Sequence, residues 1–265
     1  MNHKSLEFIP IYCEKKQKKF DLFNIILSSV KENKQKISNN DIIIISSKFV
    51  SISQGNIIKL KDIKPTKKAL DISSKFNMEP ELVQIILNES DSIYGAIDNF
   101  ILSIKNNVIC PNAGIDTSNI PKGYVVPYPL NIQKEADDLR SKFKKYCSMD
   151  VGIIFSDSRL APTRIGTTGV AVTISGFNPS IDKRGQLDLF GNKLRVTQMA
   201  IADNLSSAAQ LLMGEGNEST PIVIAHSDYL LNIGLKFSNE KINQDELSIN
   251  HKDCIFLKGL SNRYE

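Results

Sequence analysis

Three carboxylates stand beside glycines, amides and hydroxyls: Asp116 in Asn112-Ala-Gly-Ile-Asp-Thr-Ser-Asn119, Asp157 in Phe155-Ser-Asp-Ser158, and Glu215 in Met213-Gly-Glu215. Short oxygen ligands on turns are what hard divalent cations take. Each also has an ordinary structural use. Asp116 could close an Asx-turn onto its own backbone, and Glu215 could be a solvated carboxylate after a helix. A carboxylate there gains nothing from the helix dipole, so a neighbouring cation would compensate. Asp157 follows the apolar run Val151–Phe155, at the carboxyl edge of a strand, a place open to ligands. Basic residues complement the acids. Lys48 follows Ser46-Ser47 after another apolar run and could hold a phosphate as a point charge. Arg164 and Arg184 lie in glycine-containing stretches, Thr163-Arg-Ile-Gly166 and Lys183-Arg-Gly185, which a ligand could approach closely. Jointly these residues point to divalent-metal chemistry on a phosphate, with Mg²⁺ or Mn²⁺ as the suited ions.

Other chemistries lack their residues. There is no G-x-x-x-x-G-K-[ST] loop and no G-x-G-x-x-G fingerprint. His3, His226 and His251 have no triad-like or zinc-like sequence neighbours. Cys13, Cys110, Cys147 and Cys254 form no C-x-x-C pair, which argues against zinc, a redox dithiol or a disulfide scaffold. A net charge of +4 is too mild to argue for nucleic acid, and Glu14-Lys-Lys-Gln-Lys-Lys19 reads as a solvated surface. The longest aliphatic run is Ile42–Ile45, too short for a membrane span, and Met1–Pro10 has no secretory pattern. A cytoplasmic protein is expected.

The elements that must position these residues are legible in part. With 265 residues, 41% of them hydrophobic, the chain can bury a substantial core. It is taken as one unit over 1–265, with a possible subdivision near 125–150. Strands are expected at Leu6–Tyr12, Asp41–Ser46, Val151–Phe155, Gly169–Ser175 and Pro221–Ala225. Helices are expected at Asp21–Glu32, Thr66–Phe76, Glu81–Asn88 behind Pro80, and after a capping Asn131. A further helix carries Ile201, Leu205, Ala208 and Leu212 on one face and ends at Gly214. Phe49–Leu60 reads as a bent strand or hairpin broken near Gln54-Gly-Asn56. Asn99–Ile104 with Val108–Cys110, and Leu187–Phe190 with Lys193–Thr197, read as hairpins. Pro111–Pro129 is a long loop, of the kind that is usually functional or flexible.

These segments, in this order, resemble the coenzyme F420-0:γ-glutamyl ligase family over roughly residues 5–226. The resemblance rests on Asp41-Ile-Ile-Ile-Ile-Ser-Ser-Lys48, Glu81–Ser90, Asn112–Asn119, Val151–Asp157, Lys183–Thr197 and Ala202–Glu215. It implies a GTP-dependent ligase that phosphorylates the terminal carboxylate of a deazaflavin coenzyme precursor and then accepts the amine of L-glutamate. Asp116 and Asp157 are then implied as catalytic, and Asp116, Asp157, Ser158 and Glu215 as ligands for two divalent ions. Ser47, Lys48, Asn119, Arg164, Met213, Gly214 and Gly216 are implied as GTP contacts, with K⁺ as a further ion. The implied fold is α+β with mixed, largely antiparallel sheets and packed helices, in two interleaved subdomains and an intertwined homodimer.

Two departures accompany the resemblance. Ile52 stands where the family commonly has a lysine, a contact worth about 1.5–3 kcal/mol if nothing replaces it. Ser156-Asp-Ser-Arg-Leu-Ala-Pro-Thr-Arg164 replaces the commoner Ser-Asp-Thr-Phe-Gly-Arg-Pro-Trp-Arg, with Arg159 as a displaced cation. A paralogous ligase for another acid or amino acid, or a non-catalytic metal- or nucleotide-binding protein, are the alternative readings.

Overall fold

Ile42-Ile-Ile-Ile45 offers no polar side chain to water on either face, so it belongs in the middle of a covered sheet. The computed structural model describes residues 5–226, 228–238 and 244–261, and puts it there; His3 lies outside the described residues. In chain order, β1 (Glu7–Ile11) is followed by α1 (Leu22–Glu32), β2 (Ile42–Ser46) and α2 (Ser47–Gln54). Next come β3 (Ile58–Lys59), α3 (Lys67–Phe76), α4 (Pro80–Glu89), and the meander β4 (Ser92–Ile97), β5 (Phe100–Lys105), β6 (Val108–Pro111). Then follow β7 (Tyr124–Val125), α5 (Ile132–Cys147), β8 (Gly152–Leu160), β9 (Thr167–Ser175), β10 (Ser180–Asp182), β11 (Gln198–Ala200), α6 (Ile201–Met213) and β12 (Ile222–His226). The helices α7 (Asp228–Ile233), α8 (Gln244–Leu247) and α9 (Ile255–Ser261) end the described chain.

The main sheet has the order β1-β12-β2-β8-β9, and only the β2–β8 pair is parallel. Side chains alternate across each strand, which sorts the apolar residues into two cores. Ile43, Ile45, Ile153 and Phe155 pack with Phe23 and Ile26 of α1 and Leu139 and Phe143 of α5. Ile42, Ile44 and Ile154 pack on the other face with Ile201, Leu205 and Ala209 of α6. A third cluster holds Val83 and Ile86 of α4 with Ile101, Ile115 and Val125. The fold is α+β with mostly antiparallel sheets, as expected, and no helix among the described residues is long and apolar enough to cross a membrane.

Several local expectations are corrected. Phe49–Leu60 is not one bent strand or hairpin: Phe49, Val50, Ile52 and Ser53 are buried along α2, which Gly55 closes at φ 77°, and only Ile58–Lys59 is strand, paired with β7. Short apolar runs do not distinguish helix from strand by periodicity. The Pro111–Pro129 loop contains short ordered pieces: Asn112–Gly114 forms a 3-10 turn, Asp116 bridges Val126, and β7 pairs with β3. Asn131 stands before α5 with φ 48° and makes no side-chain capping bond. The expected 187–197 hairpin keeps one bridge, Leu187↔Lys193, and the paired strands β10 and β11 lie on either side of it. On α6, Ala209 rather than Ala208 is buried.

The α6 helix can lie on β9 because position 169 has no side chain. A Cβ on Gly169 would lie 2.2 Å from the Ser206 carbonyl oxygen, which is helix backbone and cannot swing aside. Gly169→Ala is expected to cost about 1–3 kcal/mol through overpacking. Urea unfolding checks this as a lower midpoint with an unchanged slope.

Candidate active site

The parallel pair β2–β8 builds the site. The strands stay in register from Ile42↔Gly152 to Ser46↔Ser156. There β2 turns into α2, while β8 runs on beside β9 through Leu160. Asp157 is therefore not at the end of its own strand, as the sequence suggests, but lies within it opposite Val170. It is nevertheless the first residue beyond the shared β2–β8 pairing, beside the first turn of α2.

Asp157 is partly buried, and its Oδ2 accepts a hydrogen bond of 2.6 Å from the Tyr128 hydroxyl. Burial raises its pKa to about 6, the Asp116 charge adds to the rise, and hydrogen bonds from Tyr128, the Ser158 backbone and Ser47 oppose it. Tyr128 is itself buried, and burial followed by the Asp157 charge pushes its hydroxyl well above the usual phenol range. Burial likewise pushes the Cys110 thiol up to about 12, with the Asp157 charge contributing. Neither is a ready nucleophile at neutral pH.

Asp116 is held in its loop as an Asx-turn, accepting from the Ser118 N–H at 2.9 Å and the Ser118 hydroxyl at 2.8 Å. Its other oxygen meets Lys48 Nζ at 2.7 Å. Lys48, in the first turn of α2, also donates to the Ser118 carbonyl at 3.2 Å. The structural and the functional reading of Asp116 are thus compatible, since the turn aims the carboxylate at α2. Ser46 makes no side-chain capping bond, so the first N–H groups of α2 face the same region without a side-chain cap.

Strand alternation sends Ser158 to the opposite face of β8 from Asp157. Its hydroxyl donates to Glu215 Oε1 at 2.8 Å, and Thr167 donates to the same oxygen at 2.9 Å. Gln210 reaches back from α6 to Glu215, Thr167 and Ser158. Met213 ends α6 and Gly214 caps it, after which the Gly216 N–H donates to Glu218 at 2.8 Å. Asn119 donates to the Gly216 carbonyl at 2.6 Å and so joins the Asp116 loop to the glycine loop.

The structure thus brings together Ser47, Lys48, Asp116, Asn119, Asp157, Ser158, Glu215 and Gly216. Arg164 is not brought in: it lies at the exposed tip of the β8–β9 hairpin, beyond the last pair Leu160↔Thr167. Arg184 forms a forked pair with Asp182 (2.9 and 2.6 Å) and holds that carboxyl down to about 2. Ile52, one turn after Lys48, is buried. His226 has a partner that sequence proximity did not reveal, Asp41 at 2.8 Å, but this pair sits at the other end of β2 from Ser46. Sequence reasoning missed Tyr128, Thr167 and Gln210, whose roles come from contacts 29, 48 and 5 positions away in the chain.

Among the described residues no group of three or more His, Cys, Asp or Glu converges on one point. The donors present are hard oxygens, two carboxylates on one side of β8 and one carboxylate with two hydroxyls on the other. They suit an ion of the Mg²⁺ type, which takes one or two carboxylates and keeps several waters.

Comparison with known proteins agrees with the resemblance. A family model described as F420-0:Gamma-glutamyl ligase matches residues 11–227. The coenzyme F420:L-glutamate ligase of Methanothermobacter thermautotrophicus is 38% identical over 205 residues, covering 77% of this chain and 81% of that protein. The enzyme of the same name from Methanopyrus kandleri is 35% identical over 222 residues, 83% of this chain and 86% of its own. That of Archaeoglobus fulgidus is 31% identical over 226 residues, 85% and 88% of the two chains.

Proposed function

This chain belongs to the F420-0:gamma-glutamyl ligase family, and we propose on that premise that it joins L-glutamate to a deazaflavin coenzyme precursor using GTP. The observation that carries the reading is the split of Asp157 and Ser158 to opposite faces of β8, each toward a second acid, Asp116 and Glu215. Asp116 with Asp157, and Ser158 with Glu215, would each hold one divalent ion. Such ions neutralise charge on a transferring phosphoryl group and align it for in-line attack.

The chain's own residues supply positioning. Lys48 and the N–H groups at the start of α2 offer positive charge to a phosphate. Lys48 pairs with Asp116, which keeps the acid and the cation in one place. Asn119 ties the Asp116 loop to the glycine loop. A carboxylate oxygen of the precursor attacks the terminal phosphorus and GDP leaves. The amine of glutamate then attacks the acyl carbon, phosphate leaves, and the nitrogen gives up a proton.

The reading extends to a homodimer. Leu187, Leu189, Phe190 and Val196 are 64–100% exposed on one arm, an apolar surface that a second copy would cover.

Incubating the full chain with the precursor, GTP, Mn²⁺ and L-glutamate tests the assignment. A glutamate-sized mass increment with matching phosphate release is expected. GTP turnover only with a different carboxylic acid would favour a paralogous ligase, and binding without turnover would refute ligation. Lys48→Ala is expected to raise the KM for GTP roughly tenfold or more, the value of one charge-assisted contact.

A further inference from the structure

Arg159 is the one arginine that β8 carries beside the site, and it is chemically unspent. It follows Asp157 by two residues, on the same face of the strand and about 7 Å further along. Pairing of Arg159 with Thr168 holds its backbone. Its Nε is shielded from solvent and has no hydrogen-bond partner. Other cations are committed elsewhere: Lys48 to Asp116, Arg140 to Asp150 and Arg184 to Asp182. Arg159 forms no ion pair among the described residues, although two carboxylates stand by the same end of the β2–β8 pair. A solvent-shielded donor without an acceptor is uncommon in folded proteins, and here it belongs to a permanent charge beside a ligand site.

Resting on the ligase reading above, we propose that Arg159 is a specificity-determining residue that holds a carboxylate of one of the two acids being joined. The guanidinium edge formed by Nε and a terminal nitrogen matches a carboxylate with two parallel hydrogen bonds. Phosphate already has a separate set of donors at Lys48 and the start of α2. An amino acid carries its carboxylate two bonds from the attacking amine, and the precursor carries its own at the reacting carbon. Either acid therefore brings a carboxylate within one strand step of Asp157.

The test uses the full chain with Arg159→Gln and Arg159→Lys, varying the precursor, L-glutamate and GTP one at a time. In Arg159→Gln the KM for one acid should rise roughly ten- to a hundredfold, as for a lost charge-assisted pair. The kcat and the KM for GTP should stay near wild type, and Arg159→Lys should recover part of the loss. The acid whose KM rises identifies the carboxylate. The thermal midpoint should hold or rise, since a shielded unpaired cation has been removed. Unchanged KM for both acids, a rise for GTP alone, or a kcat loss with a lowered midpoint would each overturn the proposal. Absence of ligation by the wild type refutes the ligase reading separately. In that event calorimetric titration with L-glutamate and with the precursor decides for Arg159: weaker binding of either acid by Arg159→Gln than by wild type sustains it, and equal or no binding of both overturns it.

Discussion

Asp157→Asn is expected to lower turnover more than about a hundredfold, beyond what supporting residues around a metal typically cost, while making the metal-free protein more stable at neutral pH. The two effects share one cause. Asp157 has a folded pKa of about 6 against 3.8 for the free group, because burial and the Asp116 charge disfavour its ionised form. For a raised carboxyl the stabilising contribution is fully present below the unfolded pKa and is lost as pH rises through the folded one. The window is therefore about pH 4–6, and above it the ionised group costs on the order of 1–3 kcal/mol. Asparagine keeps the shape and the bond from Tyr128 but carries no charge, so its variant should lack this pH dependence. Denaturant unfolding at pH 5 and pH 7.5, with ligation measured in parallel, checks both halves. Wild-type-like activity would remove Asp157 from the site, and a stability loss at pH 7.5 would refute the charge argument.

Gly114→Ala is expected to destabilise the fold by roughly 2–5 kcal/mol and to disable the site with it. Gly114 has φ +67°, and a Cβ there would lie 2.4 Å from Cζ of the Tyr128 ring. The left-handed backbone costs an alanine about 1–2 kcal/mol, and the clash adds about 1–3 kcal/mol. The ring has nowhere to retreat, since it is buried, its backbone carbonyl accepts from Asn56 at 2.9 Å, and its hydroxyl holds Asp157. Gly123 is the control. It has φ +83° with open space around the would-be Cβ, so Gly123→Ala should show the backbone cost alone. Equal unfolding midpoints for the two variants would refute the packing argument. Tyr128→Phe keeps the ring and drops the hydroxyl, and is expected to weaken Mn²⁺ binding about 10–100-fold with little loss of stability.

Much of the frame was readable because its signals are local. Thr66 and Asp21 accept bonds from their own helices' first turns, and Pro80 opens α4, as short-range capping rules require. The Asn106-Asn107 turn has both residues at positive φ, the condition for the β5–β6 hairpin. Phe49–Leu60 failed because adjacent apolar residues suit a helix or a strand, and only packing against the sheet chose. Asn131 failed because its own backbone went left-handed, which takes its side chain away from the helix N–H groups.

The candidate site divides in the same way. Asp116, Asp157, Ser158 and Glu215 were singled out in sequence by residue type and by the order of family-like segments, and neither property needs a fold. Their division into two sides was decided by tertiary structure. β8 outlasts β2 by four residues, and strand alternation then sends Asp157 toward Tyr128 and Asp116, and Ser158 toward Glu215 and α6. The exclusion of Arg164 and the unspent Arg159 follow from that same register, and the burial of Ile52 from the packing of α2. Composition and motif order depend on neighbours along the chain. Which oxygen or nitrogen meets which depends on strand register and loop return, where a shift of one residue turns every side chain to the other face.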